Sequence, residues 1–318
     1  MHKYSFFRIF IKIFIIDNKL FWWYFDVIGN NSYKIRGVIF IKIDAHQHFW
    51  KLNHLDYGWL TEELPILYRD YLPHDLEPHL RQHGIDKTIA IQAAPTIKET
   101  EFLLELYSQY EFIAGVVGWL DLGSPTFKND YHRLREHVGF VGIRPMLQDL
   151  NDDRWIVRQE VMKNIERLIS DDFPLDLLIY PRHLPVVLEL LEHFPQLRAV
   201  INHAAKPTIK NGITAFWVDN MNEIASYENV MCKVSGLITE ADHQHWKHED
   251  FEPFIQHLVN VFGTDKLMFG SDWPVCLLSG TYHNVYELFE NALSQDLSEK
   301  KYSKIIGENA SGFYKLNL

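Results

Sequence analysis

The chain is 318 residues long, 47% hydrophobic and 23% charged, an ordinary globular composition that supports a sizeable core. Its formal net charge of −11 argues against a nucleic-acid partner, which would call for a basic face. The two cysteines, Cys232 and Cys276, form no CxxC pair, so neither a disulfide framework nor a zinc knuckle is indicated and a reducing cytoplasm fits.

Residues 1–38 differ in character from the rest of the chain. The stretch MHKYSFFRIFIKIFIIDNKLFWWYFDVIG is crowded with Phe, Ile and Lys. Arg8 and Lys12 interrupt its apolar run well short of the roughly 18 to 20 residues that a membrane span needs, and no small-residue cleavage site is present. It reads as an amphipathic surface helix with Arg8 and Lys12 on one side, as an unrecognised export signal, or as upstream sequence translated ahead of a true start at Ile41. The last reading is preferred, because the regular pattern begins cleanly only at Val38 to Ile43. The expected organisation is an N-terminal extension, 1–38, outside the fold, and a single domain over 39–318 with no membrane partner.

From Val38 onward, short β-branched runs alternate with longer amphipathic segments. The runs are VIFIKID (38–44), KTIAIQA (87–93), FIAGVVGW (112–119), FVGIR (140–144), LDLLIY (175–180), LRAVIN (197–202), NVMCKVS (229–235) and KLMFG (266–270). Between them, segments such as TEFLLELYSQY (100–110), VMKNIERLI (161–169), LPVVLELLEHF (184–194) and FEPFIQHLVNVF (251–262) carry apolar residues at helical spacing. Apolar strands alternating with such helices predict a parallel sheet covered by helices, and eight units predict a closed (β/α)8 TIM barrel. Residues 49–84, rich in Trp, Tyr, Pro and His, read as a loop over the barrel mouth. No glycine-rich phosphate loop and no G-x-S-x-G elbow occurs, which removes most of the support for nucleotide binding and serine hydrolysis.

In such a barrel the catalytic groups sit at the C-terminal ends of the strands. His46 and His48 follow the first run in IDAHQHFW, and strand alternation puts them on one side with Gln47 on the other. Gln92 ends the second run, Asp121 follows the third, and Arg144 and Tyr180 end the fourth and fifth. His203 follows the sixth in VINHAAKP, Lys233 and Ser235 lie in the seventh, and Asp272 follows the eighth in FGSDWP. Each also has a local reading: Asp272 could close the turn before its proline, His203 could be a satisfied core histidine, and Lys233 could bridge strands. Independent local roles would not place three histidines and an aspartate at the exits of runs one, one, six and eight. His46, His48, His203 and Asp272 are therefore the expected catalytic and metal-ligating set. Three imidazoles and one carboxylate suit one zinc or manganese ion, with Asp272 moving the proton and ester, lactone or amide hydrolysis as the outcome. A metal-free route, with Asp272 activating water directly, is chemically open as well.

Together DAHQHFW, VGIRPMLQD, NHAAKP, KVSGLITEAD and LMFGSDWPV resemble the amidohydrolase superfamily. The resemblance is to its amidohydrolase-related (amidohydrolase 2) group of sugar-lactone hydrolases, similar to L-fuconolactonase and L-rhamnonolactonase. It covers residues 41–318 and implies a (β/α)8 barrel, hydrolysis of an aldonolactone in carbohydrate catabolism, and site roles for His46, His48, His203 and Asp272. The late placement of Lys233 departs from the bridging lysine of binuclear members, so a mononuclear or metal-free site is implied. A sugar lactone presents hydroxyls and an apolar ring face. Gln92, Asp121, Arg144 and His243 are the candidate hydroxyl readers, and Trp50, Trp246 and Trp273 the candidate ring walls. Arg144 could instead grip a substrate carboxylate, which would favour an acidic lactone of the pyrone dicarboxylate or muconolactone type if further arginines joined it. A non-oxidative decarboxylase on the same scaffold, and a catalytically dead barrel anchored through residues 1–25, are the more distant readings. Barrel rims and helices can form a homo-oligomer, but no residue pattern specifies the patch.

Overall fold

The computed structural model describes residues 11–16, 19–28, 32–35, 40–52, 57–293 and 297–318, which fall into two compact units, Met1–Ile41 and Lys42–Leu318. In the first unit β1 (Ile11–Ile16), β2 (Lys19–Ile28) and β3 (Ser32–Ile35) form an antiparallel sheet in that order. The surface helix around Lys12, one of the three readings of this stretch, is therefore replaced by strand, while Arg8 lies outside the described residues. The β-branched isoleucines of IKIFII favour an extended backbone over a helix.

The second unit is a barrel of eight parallel strands, ordered sequentially from β4 to β11. These are β4 (Ile43–Gln47), β5 (Lys87–Ile91), β6 (Ile113–Gly118), β7 (Phe140–Ile143), β8 (Leu175–Leu177), β9 (Ala199–Ile201), β10 (Val230–Val234) and β11 (Leu267–Phe269). The ring is drawn together at its C-terminal rim. There Gln47 bridges Trp273, the His48 N–H donates to the Trp273 carbonyl at 2.7 Å, and the Asp272 N–H donates to the His46 carbonyl at 2.8 Å. β4 begins at Ile43, later than Val38, so His46 lies inside the strand rather than beyond it. Residues 38 and 39 of the expected strand lie outside the described residues.

Seven of the helices follow the expected segments: α2 (Ile97–Gln109), α3 (Phe127–Arg135), α4 (Gln159–Ser170), α5 (Leu184–His193), α6 (Ala215–Ser226), α7 (Glu252–Phe262) and α8 (Tyr282–Leu293). The stretch 49–84 is not all loop, because it contains α1 (Pro73–His83), which packs against α8. Pro73 opens that helix, Asp75 accepts the Leu72 N–H at 2.9 Å, and Gly84 closes it at φ 63°. Two prolines and three histidines among its 11 residues hide the helical pattern from a reading of apolar periodicity.

Inside the barrel the layers differ in chemistry. Ile43, Ala45, Ile89, Ile91, Val117, Val141, Val200 and Met268 form an apolar cluster closed by Ala310, Phe313 and Tyr314 of the C-terminal segment. Lys233 also stays inside, as a strand-bridging cation. It pairs with Asp176 at 2.7 Å, and Tyr314 and Asn202 donate to the same carboxylate at 2.7 and 2.9 Å. Among the described residues no helix is long and apolar enough to cross a membrane.

Candidate active site

The polar rim starts with an irregularity in β4. Asp44 pairs with Thr88 and Gln47 with Ala90, so three steps of β4 stand against two of β5. A bulge of this kind re-aims side chains at a barrel rim. Ala45 joins the interior apolar cluster, whereas Asp44 turns to α8 and accepts the Tyr282 hydroxyl at 3.1 Å. The other Asp44 oxygen accepts the backbone N–H groups of His46, at 3.1 Å, and Ser271, at 2.9 Å, and so ties the two site-bearing segments together. Burial raises its carboxyl to about 6, even against those hydrogen bonds.

A second irregularity presents His203. Residues His203, Ala204, Ala205 and Lys206 all adopt left-handed backbone, at φ 53°, 51°, 61° and 50°. Each such non-glycine residue costs about 1–2 kcal/mol, and strain of this kind collects where the surroundings impose it, commonly at functional sites. The Trp217 indole N–H clasps the turn by donating to the Ala204 carbonyl at 2.8 Å. Asp272 is likewise left-handed, at φ 56°.

These devices converge on one carboxylate oxygen. Asp272 Oδ1 lies 3.1 Å from His48 Nε2 and 3.7 Å from the Nε2 atoms of both His46 and His203. Burial favours a protonated Asp272, but the facing His203 and His48 rings outweigh it and hold the carboxyl at about 2. Burial pushes His203 down to about 3 and lowers His46 and His48, so all three rings are neutral near pH 7. His48 Nδ1 lies 2.9 Å from the Ile91 carbonyl, which can only accept, so Nδ1 carries the proton. Its Nε2 lone pair then points at an ionised carboxylate oxygen, an arrangement that calls for a cation between them. The His46, His48 and Asp272 ligand atoms all lie within 4.8 Å of one another, and His46 Nδ1 is buried without a partner. This donor set fits a divalent metal ion.

Arg144 donates to His46 Nε2 at 3.3 Å and also to the Gln92 carbonyl. Gln92 is fully buried and returns a bond from its side-chain amide to the Arg144 carbonyl at 2.9 Å, so it braces Arg144 from beneath. His203 Nδ1 sits 2.9 Å from the Ser235 hydroxyl. A cavity of about 280 Å³ opens above the cluster, with His48, Arg144, His203 and Asp272 along its floor. His243 lies on its wall, 3.0 Å from the Thr239 carbonyl.

The other candidates from the sequence lie elsewhere. Asp121 faces a neighbouring cleft and accepts the Gly123 N–H at 2.9 Å. Trp50 is packed among Tyr57, Trp59 and Tyr71 and bonds the Arg69 carbonyl, whereas Trp273 packs against Phe49 and Tyr71. Trp246 donates to the Ser279 carbonyl. Lys206 and Glu240 line the cavity and face each other at 3.8 Å, and Met146 and Asp149 line it too. Sequence reasoning missed these four as site residues, although Lys206 stands in NHAAKP and Glu240 in KVSGLITEAD. They stand several residues beyond a strand end, and only the left-handed turn and the short helical turn Ile238–Glu240 bring Lys206 and Glu240 back to the mouth.

Glu99, in the first turn of α2, is a buried carboxyl that sequence reasoning also missed. It accepts the Ala93 N–H at 2.7 Å, and burial raises it from 4.5 to about 8. The fold therefore holds a proton that the unfolded chain releases. Its stabilising contribution is complete below pH 4.5 and is lost as pH rises through about 8. Urea unfolding at pH 6 and pH 8 should show the wild type losing about 2 kcal/mol more than Glu99→Gln over that interval. Equal losses would show that Glu99 is ionised in the fold.

The amidohydrolase family model matches residues 43–316. The chain is 40% identical over 282 residues to an L-fucono-1,5-lactonase of Burkholderia ambifaria, spanning 87% of this chain and 96% of that protein. An L-fucono-1,5-lactonase of Burkholderia multivorans is 35% identical over 291 residues, with the same coverage. Among solved structures, a zinc-bound amidohydrolase from Burkholderia multivorans superposes with a TM-score of 0.83 at 35% identity, covering 87% of this chain and all of that one. A family match that runs the length of the barrel, with relatives this similar over nearly their whole length, makes the chain a member of the amidohydrolase family.

Proposed function

We propose that the protein hydrolyses the ring ester of a deoxy-sugar lactone, with L-fucono-1,5-lactone as the first substrate to test. The observation that carries this reading is the ionised Asp272 carboxylate, set among three neutral imidazoles at the foot of a cavity sized for one small ring. The cavity walls favour a neutral over an acidic lactone. Among the described lining residues Arg144 is the one arginine, Lys206 is offset by Glu240 at 3.8 Å, and Asp149 adds a carboxylate that would repel a dicarboxylate substrate. The names of the Burkholderia relatives point the same way.

In this mechanism water attacks the lactone carbonyl, the bond from the acyl carbon to the ring oxygen breaks, and an aldonate is formed. Asp272 takes the proton from the attacking water and delivers it to the departing ring oxygen. A carboxylate this weakly basic needs the water acidified; His46, His48 and Asp272 would hold a divalent cation, which when bound would supply that acidification and polarise the carbonyl. Arg144, braced by Gln92, places a fixed positive charge beside the developing oxyanion. His203, bonded to Ser235, borders the same carboxylate, and Lys206, Glu240 and His243 are placed to read hydroxyls.

A pH-indicator assay over neutral aldonolactones and acidic lactones tests the reading. Turnover of L-fucono-1,5-lactone or a related deoxy-sugar lactone is expected. No lactone turnover, or carbon dioxide release from a hydroxybenzoate, would sink it. For the metal, elemental analysis should find about one zinc or manganese per chain, with His48→Ala lowering occupancy at least tenfold. Full activity after exhaustive chelation, with no metal detected, would leave the metal-free route.

A further inference from the structure

Beside the catalytic cavity lies a second and larger cleft, of about 740 Å³, on the same face of the barrel. The two adjoin, because Trp59, Met146 and Asp149 line both. The cleft is built from the loops that follow β4, β5, β6 and β7, so it lies on the catalytic rim, where barrel enzymes read their substrates. Its walls are aromatic: Trp59, Trp119 and Trp155, all partly exposed, with Tyr57 behind them. The charged groups among its described lining residues are Asp121 and Asp149, and no cation joins them. Asp121 points here rather than into the catalytic cavity, which leaves a strand-exit carboxylate that the hydrolytic step does not use.

Flat apolar faces beside carboxylate acceptors suit one kind of occupant. A pyranose ring carries a C–H face that packs on indole and hydroxyls that donate to carboxylates. An anionic group would be repelled by Asp121 and Asp149. A single deoxy-sugar lactone fits within the cavity of about 280 Å³ and leaves the larger cleft unused. We propose that the cleft is a subsite for a neutral glycosyl unit carried on a hydroxyl of the lactone, so that the enzyme acts on lactones of oxidised disaccharides as well as on the parent ring. The inference rests on the lactonase reading and adds to it the size of the substrate. Met146 and Asp149 form the threshold between the two rings, and Trp155 and Asp121 form the far wall.

The test compares L-fucono-1,5-lactone with the same lactone bearing a neutral hexose on O2, O3 or O4, in wild type, Trp155→Ala, Trp155→Phe and Asp121→Asn. At least one glycosylated isomer is expected to show a KM about tenfold below the parent. Trp155→Ala should erase that advantage, Trp155→Phe should restore most of it, and the parent lactone should be hydrolysed within twofold of wild type by each variant. If every glycosylated isomer is hydrolysed no better than the parent, or Trp155→Ala depresses all substrates equally, the subsite is overturned while the lactonase reading stands. If the parent lactone is not hydrolysed at all, both fall together.

Discussion

Asp272→Asn is expected to lower kcat/KM for a sugar lactone by about 10³-fold or more while leaving the melting temperature close to that of the wild type. The loss follows from removing the one ionised oxygen on which three neutral imidazoles converge, since a positioned proton carrier contributes about 10²–10⁴-fold. The small stability effect follows from the His48 tautomer. Its Nδ1 proton is committed to the Ile91 carbonyl, so Nε2 offers a lone pair that an asparagine N–H can satisfy at the same 3.1 Å. Lactone assays beside thermal melts check the prediction. A variant with more than a tenth of wild-type activity would show that the proton moves through another group.

The second large effect is expected at a residue with no side chain. Gly236 sits at φ 61°, and a Cβ added there would lie 2.4 Å from His203 Nδ1 and 3.1 Å from Asp272 Oδ2. Gly236→Ala therefore imposes a left-handed alanine, costing about 1–2 kcal/mol, and drives the His203 ring off Ser235 and away from Asp272. Misplacement of a catalytic group by about 1 Å costs on the order of 10²-fold in rate. The prediction is a fall of at least that size in kcat/KM, with a folded barrel by circular dichroism and a melting temperature lowered by several degrees. Activity within threefold of wild type would mean that the His203 ring can withdraw without consequence.

Much of this protein is legible along the chain. Each of the eight apolar runs overlaps a strand, because local β-branched composition and burial act in the same direction. His46, His48, His203 and Asp272 are visible because each stands within a few residues of a strand end, where topology alone delivers them to the rim. Proximity to a strand end did not by itself separate Arg144, which reaches the cavity, from Gln92, which braces Arg144 from behind, or from Asp121, which faces the next cleft. Those differences depend on local register. The bulge between Asp44 and Gln47 lets Ala45 stay in the barrel interior while both histidines face Asp272, and no residue type announces it.

What the sequence alone determined was the barrel, the family and the four-residue cluster, because these depend on periodicity and on short motifs whose geometry is local. The tertiary structure decided which tautomer His48 carries, that Lys206 and Glu240 face each other across the mouth, that α1 covers ground expected to be loop, and that a tryptophan-lined cleft adjoins the site. The physical reason is common to all four. Each depends on backbone outside regular elements, where left-handed turns, bulges and loop packing bring together residues far apart in the chain, and no repeating pattern of side chains records that arrangement.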